Sequence, residues 1–87
     1  MGNTQKITSI LNETVADVFM KETEYIAAHH ELNFRKDLSA SSIQYFPLIT
    51  ELEELLGINI DIHEFQSKAH TIGDAVVFLE SLDSEQN

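Results

Sequence analysis

Apolar residues recur at helical spacing in three stretches of the chain and alternate in a fourth. Ile7, Ile10, Leu11, Val15, Val18 and Phe19 fall on one side of a 3.6-residue wheel, with Glu13, Asp17 and Lys21 on the others. This spacing predicts an amphipathic helix over 7–22. Asp17 and Lys21 stand four apart, acid first, which adds a small i,i+4 bonus. No glycine closes this helix, so its end lies open between Phe19 and Ala28. Glu24-Tyr25-Ile26-Ala27-Ala28 either continues it or makes a separate turn.

Residues 42–56 carry the second stripe: Ile43, Phe46, Ile49, Leu52 and Leu56, with Leu48 and Leu55 beside it. Gln44, Pro47, Glu51 and Glu54 fall on the opposite, exposed side, and Gly57 supplies the stop. Ile58-Asn59-Ile60-Asp61-Ile62 alternates as a strand does, but no other stretch offers it a partner. It reads as an extended link, followed by a short helical turn over 63–68. Thr71-Ile72-Gly73-Asp74 has the Ser/Thr-x-x-acid form of a helix start. Ile72, Ala75, Val76, Leu79 and Leu82 form the buried stripe of that last helix, and the polar residues 83–87 are expected to fray.

Between the first two helices, residues 29–41 read as a long surface connection with few ordering signals, pinned by Ile26, Leu32, Phe34 and Leu38. It is the segment expected to be most mobile. The fold class that follows is all-α: a small four-helix bundle, three main helices and one short one, in a single domain over 1–87, with the long loop between helices 1 and 2.

The entry to the second helix is the densest local signal. Ser41-x-x-Gln44 is a capping box, in which the Ser41 hydroxyl accepts from the Gln44 N–H and the Gln44 side chain reaches back to the Ser41 N–H. Ser42 then takes the first helical position, where a negatively charged ester meets backbone N–H groups and the positive end of the dipole. Pro47 lies beyond the first turn. It removes the hydrogen bond to the Ile43 carbonyl and crowds it, which predicts a bend or irregular turn at 43–47.

Composition narrows the chemistry. The 87 residues are 43% apolar, enough for one modest core. There is no cysteine, hence no disulfide framework, thiolate zinc site or cysteine nucleophile. Together with the lack of a signal-peptide pattern, this fits a cytoplasmic protein. No apolar run approaches the length of a membrane span. The formal charge is −10 and uneven: residues 1–43 hold six acids against four bases, and residues 44–87 hold nine acids against Lys68 alone. Nucleic acid is an unsuited partner, since phosphate contacts need Lys and Arg, whereas partners with basic patches are favoured.

Nothing in the sequence assembles a catalytic site. His29, His30, His63 and His70 lack the i,i+4 spacing of a helical zinc site. Glu53 and Glu54 are adjacent and so diverge around a helix instead of converging on a substrate. The aromatic residues are more often core than cofactor contacts. No enzymatic activity is expected.

The residues around Ser42 carry a resemblance. Asp37-Leu38-Ser39-Ala40-Ser41-Ser42-Ile43 resembles the Asp-Leu-Gly-x-Asp-Ser-Leu motif of acyl carrier proteins. Leu48-Ile49-x-x-Leu52-Glu53-Glu54 followed by Gly57-Ile58 and Ile60 looks like that family's second helix and its exit. Thr71-Ile72-Gly73-Asp74-Ala75-Val76 is similar to the Thr-Val-Gly-Asp-x-Val start of its last helix. Phe34 sits where the family's loop is anchored. The likeness covers residues 34–82 by motif and 7–33 by helix pattern only.

The resemblance implies a four-helix carrier domain, working as a monomer, with 4′-phosphopantetheine on Ser42. A phosphopantetheinyl transferase would attach the arm from coenzyme A, and its thiol would hold acyl groups as thioesters. An acyl-loading ligase or synthase and acyl-transfer enzymes with basic patches would be the partners, in fatty-acid, lipid or polyketide-type biosynthesis. It further implies a recognition surface of Asp37, Ser41, Gln44, Pro47, Glu51, Glu53 and Glu54, and apolar faces on helices two to four that could shelter an acyl chain. Ser41 stands in place of the usual Asp, Gln44 of a frequent acid and Pro47 of a frequent Glu. All three thin the acidic patch and point to a specialised carrier serving a dedicated pathway. The alternatives are a peptidyl or aminoacyl carrier, and an acidic helical interaction module that never takes an arm.

Overall fold

The structure, a computed structural model, describes residues 3–86. Five helices follow in order: α1 (Asn3–Val18), α2 (Thr23–Ala28), α3 (Ser42–Leu56), α4 (Ile62–Lys68) and α5 (Ile72–Gln86). No strand forms among the described residues; one isolated antiparallel bridge joins Asn33 and Thr71. The architecture is a small all-α bundle. α1 packs on α2, α3 and α5, and α4 packs on α3 and α5.

α1 begins four residues before its apolar stripe and ends four residues before the boundary expected at residue 22. Its early start is tied to the end of α5: the Asn3 amide donates to Asp83 and the Thr4 hydroxyl to Glu80, both at 2.7 Å. Its end is set by Met20, which adopts φ +57, a conformation usually left to glycine. Lys21 N–H then bonds the Ala16 carbonyl at 2.8 Å and Met20 N–H the Asp17 carbonyl at 3.4 Å. These are the two bonds of a Schellman stop. The segment that follows is a helix of its own, α2, buried through Ile26.

The connection over 29–41 is far from loose. Asn33 is its hub: Oδ1 accepts from Arg35 N–H at 2.9 Å and Lys36 N–H at 3.0 Å. Its carbonyl accepts from Asp37 and Leu38. The segment is also stitched to the start of α5, with Phe34 N–H to His70 O, Ile72 N–H to Leu32 O and Gly73 N–H to His30 O, at 2.9–3.1 Å. Phe34 and Leu38 are buried, as the sequence predicts, and Leu32 is half-buried. The segment carries more ordering contacts than the few signals read from its sequence. The missed signal was the asparagine, whose side chain builds an Asx turn.

α3 buries the predicted stripe at Ile49 and Leu52, with Leu56 half-buried, but not at its first two positions. Tyr45, Leu48, Ile49 and Leu52 are buried, whereas Ile43 and Phe46 are 78% and 62% exposed and Leu55 is also exposed. α3 runs unbroken through Pro47, so the irregular turn expected at 43–47 does not form. Its first turn is tightened instead by a Gln44 N–H to Ser41 carbonyl bond of 3.1 Å. Gly57, at φ +67, ends the helix with its N–H on the Glu53 carbonyl.

The extended link and short helix expected after α3 are present. Asp61 caps α4, accepting from His63 N–H and Glu64 N–H. The Thr71–Asp74 capping box closes in both directions at 3.2 and 3.0 Å and starts α5. The tail through Gln86 is helical, not frayed: Gln86 exchanges two 2.8 Å bonds with the Asn59 backbone. Residue 87 lies outside the described residues. At the centre of the core, Phe34 meets Phe19, Tyr45 and Phe65, and Phe65 meets Phe78, with ring centroids 5.7–6.3 Å apart.

Candidate functional site

The site is built on the turn that delivers the chain into α3. Three anchors fix it. Leu38 and Ala40 are buried on either side of Ser39, which takes φ +55. Ala40 N–H bonds the Phe34 carbonyl at 2.8 Å, and Phe34 is fully buried. Asp37 returns to Asn33, its carboxylate accepting the Asn33 N–H at 2.7 Å. A short polar segment is thereby held between two buried residues and the first turn of a helix.

Ser41 is the N-cap and Ser42 the first residue of α3, as the capping pattern predicts. The glutamine arm of the box is the stronger one: Gln44 Oε1 accepts the Ser41 N–H at 3.0 Å, and the Ser41 hydroxyl lies 3.5 Å from the same oxygen. Ser42 itself is exposed. No acidic residue occupies the first turn of this 15-residue helix. The positive end of the dipole and the first-turn N–H groups are left for a negative charge brought to the Ser42 hydroxyl. Such surroundings are compatible with a phosphate ester on the serine.

Around Ser42 the surface is apolar. Ile43 and Phe46 project into solvent, and Pro47 is exposed beside them. Further along the helix Glu51 and Glu54 are exposed. The other candidate recognition residues have structural work. Asp37 is tied into the Asn33 hub, and half-buried Glu53 accepts the Ile60 N–H at 2.8 Å, holding the link between α3 and α4. Gln44 is half-buried in the cap. The structure thus brings Ser42, Pro47, Glu51 and Glu54 onto an exposed face and assigns Asp37, Ser41, Gln44 and Glu53 to holding that face in place.

Arg35 is a neighbour that sequence reading missed. Its guanidinium carbon sits 5.5 Å from the centroid of the Tyr45 ring, within cation–π range. Burial pushes the Tyr45 phenol above its ordinary value of 10.0, and Arg35 pulls partly the other way. The phenol stays neutral at physiological pH. The contact brings one of the five basic residues to the N-terminal end of α3. Its only sequence trace is the pair Arg35-Lys36 between Phe34 and Asp37.

His30 is bonded to buried Asn12 at 2.7 Å, and His29 bonds the Tyr25 carbonyl at 3.0 Å. Among the described residues no three His, Cys, Asp or Glu side chains gather as metal ligands, and no helix is long and apolar enough to cross a membrane. No protein-family model matches the chain.

Proposed function

We propose that the chain is an acyl carrier that holds its cargo on a 4′-phosphopantetheine arm at Ser42. The observation that supports this best is the presentation of Ser42: exposed, first in α3, behind a turn pinned by Leu38 and Ala40, with no acid in the first turn to oppose a phosphate. In the attachment step the Ser42 oxygen forms a bond to the β-phosphorus of coenzyme A. The pyrophosphate bond breaks, adenosine 3′,5′-bisphosphate leaves, and the hydroxyl proton passes to the transferase or solvent. The arm then supplies the thiol that a chain without cysteine lacks. The chain's own residues position the serine, whose hydroxyl is the nucleophile of the attachment step, and present the docking face.

The exposed apolar pair Ile43 and Phe46 beside Ser42, with Glu51 and Glu54 beyond, describes a partner whose footprint has an apolar centre and a basic rim. This differs from an acid-led surface and supports a dedicated set of partners. The reading is tested by loading. After modification, a fatty-acid ligase is expected to form a thioester on the wild-type chain and none on Ser42→Ala. Loading with an amino acid by an adenylating ligase, and none with fatty acid, would reassign the cargo.

A further inference from the structure

A cleft of about 340 Å³ opens between α4 and α5, away from the Ser42 turn in sequence. Six of its lining residues come from α5: Asp74, Val77, Phe78, Ser81, Leu82 and Glu85. Their offsets are those of a single helical stripe, and the stripe is about 16 Å long at the α-helical rise. Glu64 and Lys68 of α4 form the facing wall. Along the stripe the chemistry is ordered: acids at both ends, and Val77, Phe78 and Leu82 with Ser81 between. Val77 is 67% exposed, while Phe78 is buried and floors the cleft.

We propose that this cleft is a docking groove for an amphipathic helix of a partner protein, aliphatic at its centre and basic at its two ends. Three turns of open groove match the helix-in-groove mode, read by anchors at i, i+3, i+4 and i+7. Charge complementarity selects the occupant. Glu64, Asp74 and Glu85 outweigh Lys68, and the surrounding half of the chain, residues 44–87, has no other lysine or arginine. An anion would meet three carboxylates, and an uncharged apolar chain would not engage them. Arginine suits the rim, since its stem covers apolar surface while its guanidinium reaches a carboxylate. Lys68 is no obstacle, because its 4.0 Å contact to Glu64 is made by two well-exposed side chains. The inference is independent of any arm on Ser42.

The test is a heteronuclear NMR titration of the unmodified chain with a synthetic helical peptide, leucines at its centre and arginines three turns apart. Shifts centred on Val77, Phe78, Ser81 and Leu82 are expected. The double variant Glu64→Arg/Glu85→Arg should weaken binding at least tenfold while leaving the rest of the spectrum in place. Glu13→Arg/Glu24→Arg, the same charge change on exposed positions of α1 and α2, should leave the shifts centred on the cleft. Three results would each overturn the proposal: no shifts at millimolar peptide, shifts centred on other helices, or equal binding by a peptide with glutamates in place of the arginines.

Discussion

Asn33 and Asp37 hold each other across the loop that precedes α3: the Asn33 N–H donates to the Asp37 carboxylate at 2.7 Å, and the Asp37 N–H donates to the Asn33 carbonyl at 2.8 Å. Asn33 also gathers the N–H groups of Arg35 and Lys36 on its side chain. The turn carrying Ser42 hangs from this knot. Asn33→Ala removes two side-chain hydrogen bonds and should cost about 1–2 kcal/mol of stability, with Asp37→Ala costing about 1 kcal/mol. Urea unfolding with an unchanged slope is the check. A destabilisation below a few tenths of a kcal/mol for Asn33→Ala would mean that the knot does not hold the turn.

Pro47 sits inside an unbroken helix and is exposed. It forgoes one backbone bond and crowds the Ile43 carbonyl. Pro47→Ala should therefore stabilise the fold, by about 1–3 kcal/mol given the helix cost of proline. Thermal unfolding of the variant decides it, and a lowered midpoint would contradict the reading.

Tyr45 is buried and its phenol is held above 10.0, desolvation being the main cause. Because the fold favours the neutral phenol, the stability it contributes is full below the unfolded value. That contribution is lost as pH rises through the folded one. In a Tyr25→Phe background, phenolate absorbance should rise at higher pH in the folded chain than in urea. Equal titration in both states would place Tyr45 in solvent.

The docking face of α3 is expected to work through Phe46 and Ile43 at its centre and Glu51 and Glu54 at its rim. Phe46→Asp should weaken transferase binding about tenfold or more at any ionic strength, as loss of an apolar anchor does. Glu51→Arg/Glu54→Arg should slow association chiefly at low salt, because exposed charges are screened beyond a Debye length of roughly 8 Å at physiological ionic strength. Rate constants measured across a salt series separate the two.

The caps were the most legible part of the fold. Ser41 with Gln44, Thr71 with Asp74, and Gly57 mark helix ends by chemistry that acts within a few residues; Thr71 with Asp74 and Gly57 act as expected, and Gln44 reaches back to the Ser41 N–H while its own N–H bonds the Ser41 carbonyl. The helix faces were harder to read. α3 offers two interleaved apolar stripes, one through Ile43 and Phe46 and one through Tyr45 and Leu48, and periodicity cannot choose between them. Burial of Tyr45 decides the matter through contacts distant in sequence: Phe34 and Phe65 against its ring, and Arg35 over it. The end of α1 was hidden because Met20 takes a backbone conformation that its side chain does not advertise. The start of α2 was hidden because Glu22 caps it without a side-chain bond. At the candidate site, the position of Ser42 was readable, but the apolar character of its surroundings was not, since that follows from which stripe the core takes.

The measurement that bears most directly on the carrier role is intact mass after incubation with coenzyme A and a broad-specificity phosphopantetheinyl transferase, for the wild-type chain and Ser42→Ala. A single phosphopantetheine addition on the wild type and none on the variant is the predicted result. No addition to the wild type with any such transferase, or an equal addition to Ser42→Ala, would contradict it.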